Sequence, residues 1–144
     1  MVFLVDGGGF GRIHVLECGD GDYRLMHYAA NLQRLHQVLY VDCANSFDPY
    51  FVYRRAGKRG EALERIHVCR PFTLYQLRSL VGERLEDKIQ ESGGQSLLIP
   101  CINGYGLDHS FDKKEYEVVT EEIMDGIESL TRDYQLFTLI TMEA

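Results

Sequence analysis

A glycine-rich segment is the part of this sequence whose spacing could do chemistry on a phosphate: Glu17-Cys18-Gly19-Asp20-Gly21-Asp22-Tyr23-Arg24-Leu25. A working phosphate loop has a glycine, four further residues, then Gly-Lys and Ser or Thr. Its glycines let backbone N–H groups surround the phosphates, its lysine neutralises them, and its hydroxyl binds Mg²⁺. The segment follows an apolar run, and ligands of open α/β sheets bind at the carboxyl ends of strands. It is therefore the first candidate for a nucleotide site.

The four cysteines each lie at or near the end of an apolar run: Cys18, Cys43, Cys69 and Cys101. Thiolates gathered at one sheet edge could bind a soft metal ion. The alternative is that they are small buried apolar side chains, as free cysteines commonly are. Because no Cys-x-x-Cys pair preforms a site, the sequence predicts free thiols and no metal.

Two groups of basic residues are candidates for contact with nucleic acid. The first has the spacing i, i+1, i+4 and i+5, which predicts a single helix face: Arg54, Arg55, Lys58 and Arg59. The second, Lys113 and Lys114, ends an aromatic-containing segment, 104–114, of a composition seen in single-strand binders. The alternatives are a solvated helix face and an ordinary surface loop.

Apolar runs and amphipathic stretches alternate along the chain. Runs largely without polar alternation predict strands buried on both faces, at 13–18, 38–41, 66–69, 97–102 and 136–142. Apolar residues at helical spacing predict helices at 23–35, 48–64, 74–89 and 115–130. Capping signals support these helices: Thr73 with Gln76, Gly93-Gly94 and Asp112. Strict alternation predicts an α/β fold, a parallel sheet with helices on both faces.

Length and composition limit what the chain can be. Its 144 residues predict one domain, 1–144, and 45% hydrophobic residues are typical of globular proteins. The net charge of −7 disfavours a free-standing nucleic-acid binder. No apolar run is long enough to cross a membrane, and the start, MVFLVDGGGF, lacks the features of a signal peptide. We therefore expect a cytoplasmic protein with no membrane partner.

Four stretches resemble, in chain order, the core of RecA/RadA/KaiC-type ATPases. Residues 4–17 read LVDGGGFGRIHVLE, 39–49 LYVDCANSFDP, 66–77 IHVCRPFTLYQL and 97–105 LLIPCINGY. The first resembles that family's glycine-rich lead-in, and the second its Y-I-D-T-E-N-x-F-x-P stretch. The third is similar to the third strand and helix start of archaeal RadA-like and RadB-like proteins, and the fourth to L-L-(I/V)-D-S-(I/V)-T-x-L. The resemblance implies a three-layer domain of the P-loop NTPase type, with strand order 3-2-4-5-1.

The chain departs from that family where ATP chemistry takes place. The phosphate-loop positions of the first glycine, second glycine, lysine and hydroxyl residue hold Cys18, Tyr23, Arg24 and Leu25. Tyr23 brings a ring to a place where phosphate contacts backbone, and Leu25 has no oxygen for Mg²⁺. Asp20 and Asp22 add negative charge. The resemblance therefore implies no cofactor, neither ATP nor Mg²⁺.

Two further family positions are replaced. Ala44 stands at the position of the catalytic glutamate, and Pro100 at that of the Mg²⁺-linked aspartate. The resemblance thus implies a non-catalytic paralogue, a structural or regulatory subunit in DNA recombination or repair. Its partner would be a second copy or a related protein such as a RadA-type recombinase. Tyr23 and Arg24 are of types enriched at interface hot spots and are predicted to lie in that contact.

Two other functions remain open at this point. The chain could be a divergent nucleotide-binding ATPase in which Arg24 replaces the lysine. It could also be a small DNA-binding module that uses the basic residues described above.

Overall fold

Five parallel strands form the central sheet of the computed structural model: β1 (Arg12–Cys18), β2 (Val38–Val41), β3 (Ile66–Cys69), β4 (Ser96–Ile99) and β5 (Phe137–Glu143). The structure describes residues 9–19, 21–58, 60–105 and 112–143. From edge to edge the order is β1-β5-β4-β2-β3, which is 3-2-4-5-1 read from the opposite edge. The predicted α/β fold with a five-stranded parallel sheet is therefore confirmed.

The helices connect the strands: α1 (Arg24–Leu32), α2 (Pro49–Arg55), α3 (Glu61–Glu64), α4 (Leu74–Ser79), α5 (Leu85–Ser92) and α6 (Lys113–Asp133). The predicted caps are present. Thr73 Oγ1 accepts the Gln76 N–H at 3.1 Å, and an Asp112 oxygen accepts the Glu115 N–H at 2.7 Å. Gly93 ends α5 with a φ of 67°, a left-handed conformation that glycine adopts without a steric penalty.

Two apolar cores lie on opposite faces of the sheet. Along β2, Val38 and Tyr40 belong to the core covered by α1 and α2, whereas Leu39 and Val41 belong to the core covered by α4, α5 and α6. This follows from strand geometry, since successive side chains point to opposite faces. The arrangement is a three-layer sandwich of helices, sheet and helices.

Several predicted boundaries are wrong, for local reasons. The predicted helix 48–64 is two short helices, because the chain turns at Gly57 with a φ of 79°. The predicted strand 97–102 ends at Ile99, because Pro100 has no N–H to continue the ladder. The predicted helix 23–35 ends at Leu32, where a turn begins.

The predicted helix 74–89 contains a π-helical turn, Leu80–Arg84, between α4 and α5. α6 packs closely on this turn. A Cβ atom added at Gly126 would lie 2.7 Å from Val81 Cγ1, closer than van der Waals contact allows. Gly126 therefore permits the approach of two helices that cover the same sheet face.

Within the described parts of the chain, none of the helices combines the length and the apolar character that a bilayer crossing requires.

Gly126→Ala and Gly82→Ala form a matched pair that tests this packing. Both glycines are helical, but a Cβ at Gly82 meets nothing within 4 Å. Alanine should stabilise the Gly82 site by about 0.5–1 kcal/mol through helix propensity. At Gly126 the stiff Val81 side chain cannot move freely, and overpacking of this kind costs about 1–3 kcal/mol. The free energy of unfolding, measured with urea, should therefore be higher for Gly82→Ala than for the wild type and lower for Gly126→Ala. Equal stabilisation of both variants would contradict this packing.

Candidate functional site

A cleft of about 240 Å³ opens at the carboxyl ends of β1, β2, β4 and β5. It brings together most of the predicted phosphate-loop and catalytic positions: Gly19, Gly21, Asp22, Tyr23, Leu25, Ala44 and Pro100. It is also lined by residues that the sequence did not single out for this site: Ser46, Cys101, Thr141 and Glu143. Asp20 lies outside the described residues. The cleft is smaller than the roughly 300–1,000 Å³ typical of ligand pockets.

Arg24, one of the predicted phosphate-loop residues, is paired with Asp22. Its Nε lies 3.0 Å from both Asp22 carboxylate oxygens, and one terminal nitrogen lies 2.6 Å from Oδ2. The terminal nitrogen also donates to the carbonyl oxygen of Glu17. The hydrogen bond from Arg24 holds the pKa of Asp22 below its usual value. The charge of Arg24 is thus matched locally, and Arg24 lines the groove between α1 and α2 rather than this cleft.

Asp22 also occupies the start of α1. Its Oδ1 accepts the backbone N–H of Arg24 at 3.0 Å. Helix N-termini bind anions because their first N–H groups have no partner within the helix. Here an internal carboxylate takes the role that a phosphate has in a working loop.

The positions of the remaining catalytic groups carry no side-chain oxygen. Leu25 is buried in the core beneath α1, Pro100 is buried at the end of β4, and Ala44 is exposed in the turn after β2. The lining residues whose side chains carry an oxygen are Asp22, Tyr23, Ser46, Thr141 and Glu143. Asp22 is bound to Arg24, and Thr141 Oγ1 accepts the Cys101 N–H at 2.8 Å. The described cleft therefore presents carboxylates where a polyphosphate would need cations.

Asp42, which the sequence analysis did not single out, organises the loop that carries Ala44. It is only 1% exposed and follows β2 directly. Its carboxylate accepts the N–H groups of Ser46 and Phe47 at 3.0 and 2.9 Å, and Arg70 Nε lies 3.3 Å away. The one sequence signal for this role is the position of Asp42 after a buried strand and before a polar turn, since Asp side chains there cap turns.

A surface between α1 and α2 combines aromatic and cationic side chains; we call it the aromatic surface. A groove of about 430 Å³ is lined by Tyr23, Arg24, His27, Tyr28, Phe51 and Arg55. The Tyr23 and Phe51 rings stack with centroids 5.6 Å apart, and the Arg55 guanidinium lies 5.5 Å from the Phe51 centroid. Tyr23 is 54% exposed. Both predicted interface residues, Tyr23 and Arg24, therefore line one exposed groove.

The cysteines do not gather at one point. Cys18 and Cys101 meet, with their sulfur atoms 3.2 Å apart. Cys43 instead shares a hydrogen bond with the Tyr105 hydroxyl, and burial raises its pKa to about 12. Burial also raises the pKa of Cys69. Within the described residues, no group of three or more His, Cys, Asp or Glu side chains is placed to hold a metal ion.

The predicted single helix face of Arg54, Arg55, Lys58 and Arg59 is wrong for Lys58, which does not continue the helix. Arg54 and Arg55 end α2, but Lys58 lies beyond it in a turn with a φ of 61°. Arg59 lies outside the described residues, as does segment 106–111 of the predicted loop. Lys113 and Lys114 begin α6, which packs on the opposite face of the sheet from α2.

Asp42→Ala tests whether the loop after β2 depends on this carboxylate. The variant leaves two backbone donors without their acceptor and Arg70 without its ion pair. We expect a loss of about 2–4 kcal/mol in the free energy of unfolding, measured with urea. Asp42→Asn keeps one acceptor oxygen and should lose less. A cost below about 1 kcal/mol for Asp42→Ala, or a larger cost for Asp42→Asn, would contradict this role.

Comparison with known proteins assigns no family to the chain. No protein-family model matches it, and no curated protein sequence does so either. The likeness to RecA-type cores therefore rests on the stretches quoted above, on the strand order and on the position of the cleft.

Proposed function

We propose that this chain is a non-catalytic, RecA-like paralogue that acts as a structural or regulatory subunit, in the cytoplasm, in DNA recombination or repair. The strand order and the placement of the glycine-rich segment at the carboxyl end of β1 support the RecA-like assignment. The link to DNA recombination and repair rests on the resemblance of the four stretches.

The observation that carries the non-catalytic part of the proposal is the lining of the cleft. Three positions that would hold Mg²⁺ and orient water are apolar: Leu25, Ala44 and Pro100. Mg²⁺ requires oxygen ligands in near-octahedral geometry, and these side chains supply none. Arg24 is engaged by Asp22. The cleft lies where a RecA-like core would bind a nucleotide, but it lacks the side chains that bind and hydrolyse a nucleotide.

A thermal-shift titration with millimolar Mg-ATP tests this. A ligand present at one hundred times its dissociation constant stabilises a protein by about 2.7 kcal/mol. We expect no shift for the wild type, for Arg24→Ala or for Asp22→Asn, which frees Arg24 but leaves Leu25 in place. A saturable shift in the wild type that Arg24→Ala abolishes would instead support the divergent nucleotide-binding ATPase.

The aromatic surface supports a role in protein contact. Tyr and Arg are enriched at interface hot spots, and Tyr23 combines a large exposed ring with a fixed position on Phe51. Stacking limits the entropy that Tyr23 would lose when a partner binds.

The distribution of charge suggests what this partner is. The aromatic surface includes Arg55 and His27, beside Arg24, whose charge is paired with Asp22. On the opposite face of the sheet, α6 exposes a row of acidic side chains: Glu117, Glu121, Glu122, Asp125 and Glu128. Complementary charges steer association and fix its register. A second copy, or a related subunit with a similar acidic helix, would therefore fit this surface in a head-to-tail contact.

Sedimentation velocity across concentration tests the assembly, for the chain alone and with any co-purified partner. We expect concentration-dependent association that weakens with salt, and we expect Tyr23→Ala/Arg24→Ala to reduce it. Tyr50→Ala is the matched control, because Tyr50 is a 73% exposed tyrosine on α2, the helix that carries Phe51 and Arg55, but does not itself line the groove.

A wild type that stays monomeric and recovers no partner would contradict the proposed contact, and so would a double variant that assembles as well as the wild type. Salt-sensitive binding of single-stranded DNA without protein assembly would favour the DNA-binding module instead.

A further inference from the structure

Two cysteines that lie 83 residues apart in the chain meet beside the cleft. Cys18 is the last residue of β1, and Cys101 lies in the turn that follows β4. Their sulfur atoms are 3.2 Å apart, although β5 separates these two strands in the sheet. The contact therefore depends on the path of the turn after β4 across the end of β5.

Hydrogen bonds to β5 hold this turn in place. Cys101 N–H donates to Thr141 Oγ1 at 2.8 Å, and Ile102 N–H donates to the Thr141 carbonyl at 3.1 Å. Asn103 exchanges two hydrogen bonds with the backbone of Glu143. Cys101 has a φ of 49°, a left-handed conformation that is uncommon for residues other than glycine. The turn is thus fixed on both sides of Cys101, and the position of its sulfur is fixed with it.

We propose that Cys18 and Cys101 form an oxidation site that closes to an intramolecular disulfide by exchange with a low-molecular-weight disulfide such as oxidised glutathione. Bonded sulfur atoms lie about 2.05 Å apart, so the pair has to approach by only about 1 Å. Intracellular disulfides are commonly transient and redox-sensing, and a pair that needs so little movement suits that use. This site is independent of the function proposed above.

Accessibility sets the order of the exchange. Cys101 is half-buried and lines the cleft, whereas Cys18 is buried. Cys101 therefore meets the reagent first. Its thiolate attacks one sulfur of oxidised glutathione, forms a mixed disulfide and releases one glutathione thiolate, which takes up a proton. The Cys18 thiolate then attacks the Cys101 sulfur, forms the internal bond and releases the second glutathione. Two protein thiols are oxidised, and one glutathione disulfide is reduced to two thiols.

The surroundings of the two thiols predict that disulfide formation is slow but selective for this pair. Burial and the neighbouring Cys18 thiol raise the pKa of Cys101 to about 12, so little of the attacking thiolate is present near neutral pH. Cys43 and Cys69 are the natural controls, because Cys43 is engaged by Tyr105 and Cys69 lies at the end of edge strand β3. The new bond would tie the end of β1 to the turn after β4 and restrict the cleft that Cys101 lines.

To test this, the reduced chain is treated at mildly alkaline pH with oxidised glutathione, or with reduced glutathione as the control. The remaining thiols are then blocked with a maleimide, and the cysteines are mapped by mass spectrometry. We expect the oxidised sample to retain two of its four titratable thiols. The map should contain a Cys18–Cys101 crosslinked peptide, reversible with dithiothreitol. Cys43→Ser and Cys69→Ser should form the same bridge. Cys18→Ser should stop at a glutathione adduct on Cys101.

The wild-type map alone decides the matter, so the result does not depend on whether a variant folds. Four thiols that remain free in the folded wild type would overturn the proposal. So would a bridge that involves Cys43 or Cys69, or one that joins two chains.

Discussion

Burial of β2 and β4 on both faces is the constraint on which the rest of this structure depends. All four residues of each strand are buried, and neighbouring residues along them supply opposite cores. Burying a Val, Leu or Ile side chain stabilises a protein by about 1.5–3 kcal/mol. Helices must therefore cover both faces, and their connections make all the strands parallel. The carboxyl ends of the strands then meet at one edge, where the cleft lies.

The same magnitudes show that the residues lining the cleft can vary without loss of the fold. The contacts that line it are weak beside the cores, since an exposed ion pair such as Asp22–Arg24 contributes about 0–1 kcal/mol. Replacing a lysine, a glutamate or an aspartate there changes the site without changing the sheet. The exception is Asp42, whose buried carboxylate holds the loop after β2 and belongs to the structure as much as to the site.

The sequence predicts those features that depend on local chemistry. Strands 38–41 and 66–69 have the predicted bounds, and Thr73, Gly93 and Asp112 cap their helices as expected. The π-helical turn could not be predicted from local sequence patterns. It occurs where α6 approaches closely at Gly126, a contact between distant parts of the chain. Residues of the glycine-rich segment share the cleft with residues that follow β2 and β4, as their positions at the carboxyl ends of parallel strands predict.

Contacts between segments that lie far apart in the chain could not be predicted from local sequence patterns. The Tyr23–Phe51 stack needs the relative position of α1 and α2, and the Cys18–Cys101 contact needs the path of a turn across β5. The helix face assigned to Arg54, Arg55 and Lys58 failed because periodicity alone does not reveal where a helix ends. Lys58 adopts a left-handed conformation in the turn beyond α2.

The pairing of Asp22 with Arg24 does not by itself exclude a nucleotide, because an exposed ion pair is too weak to compete with a triphosphate. In the proposed RecA-like register the stronger obstacle is Leu25, a buried aliphatic side chain at the position that would supply an oxygen to Mg²⁺. Removing the carboxylate in Asp22→Asn therefore leaves the main defect in place.

Asp22 has a structural effect at the start of α1. Its carboxylate accepts the first N–H of the helix, so this N–H is satisfied without any ligand. The first N–H of α1 thus has its partner within the chain, and the Tyr23 ring stacks on that of Phe51. The glycine-rich segment thus ends in an exposed aromatic side chain whose position is already set by its contact with Phe51.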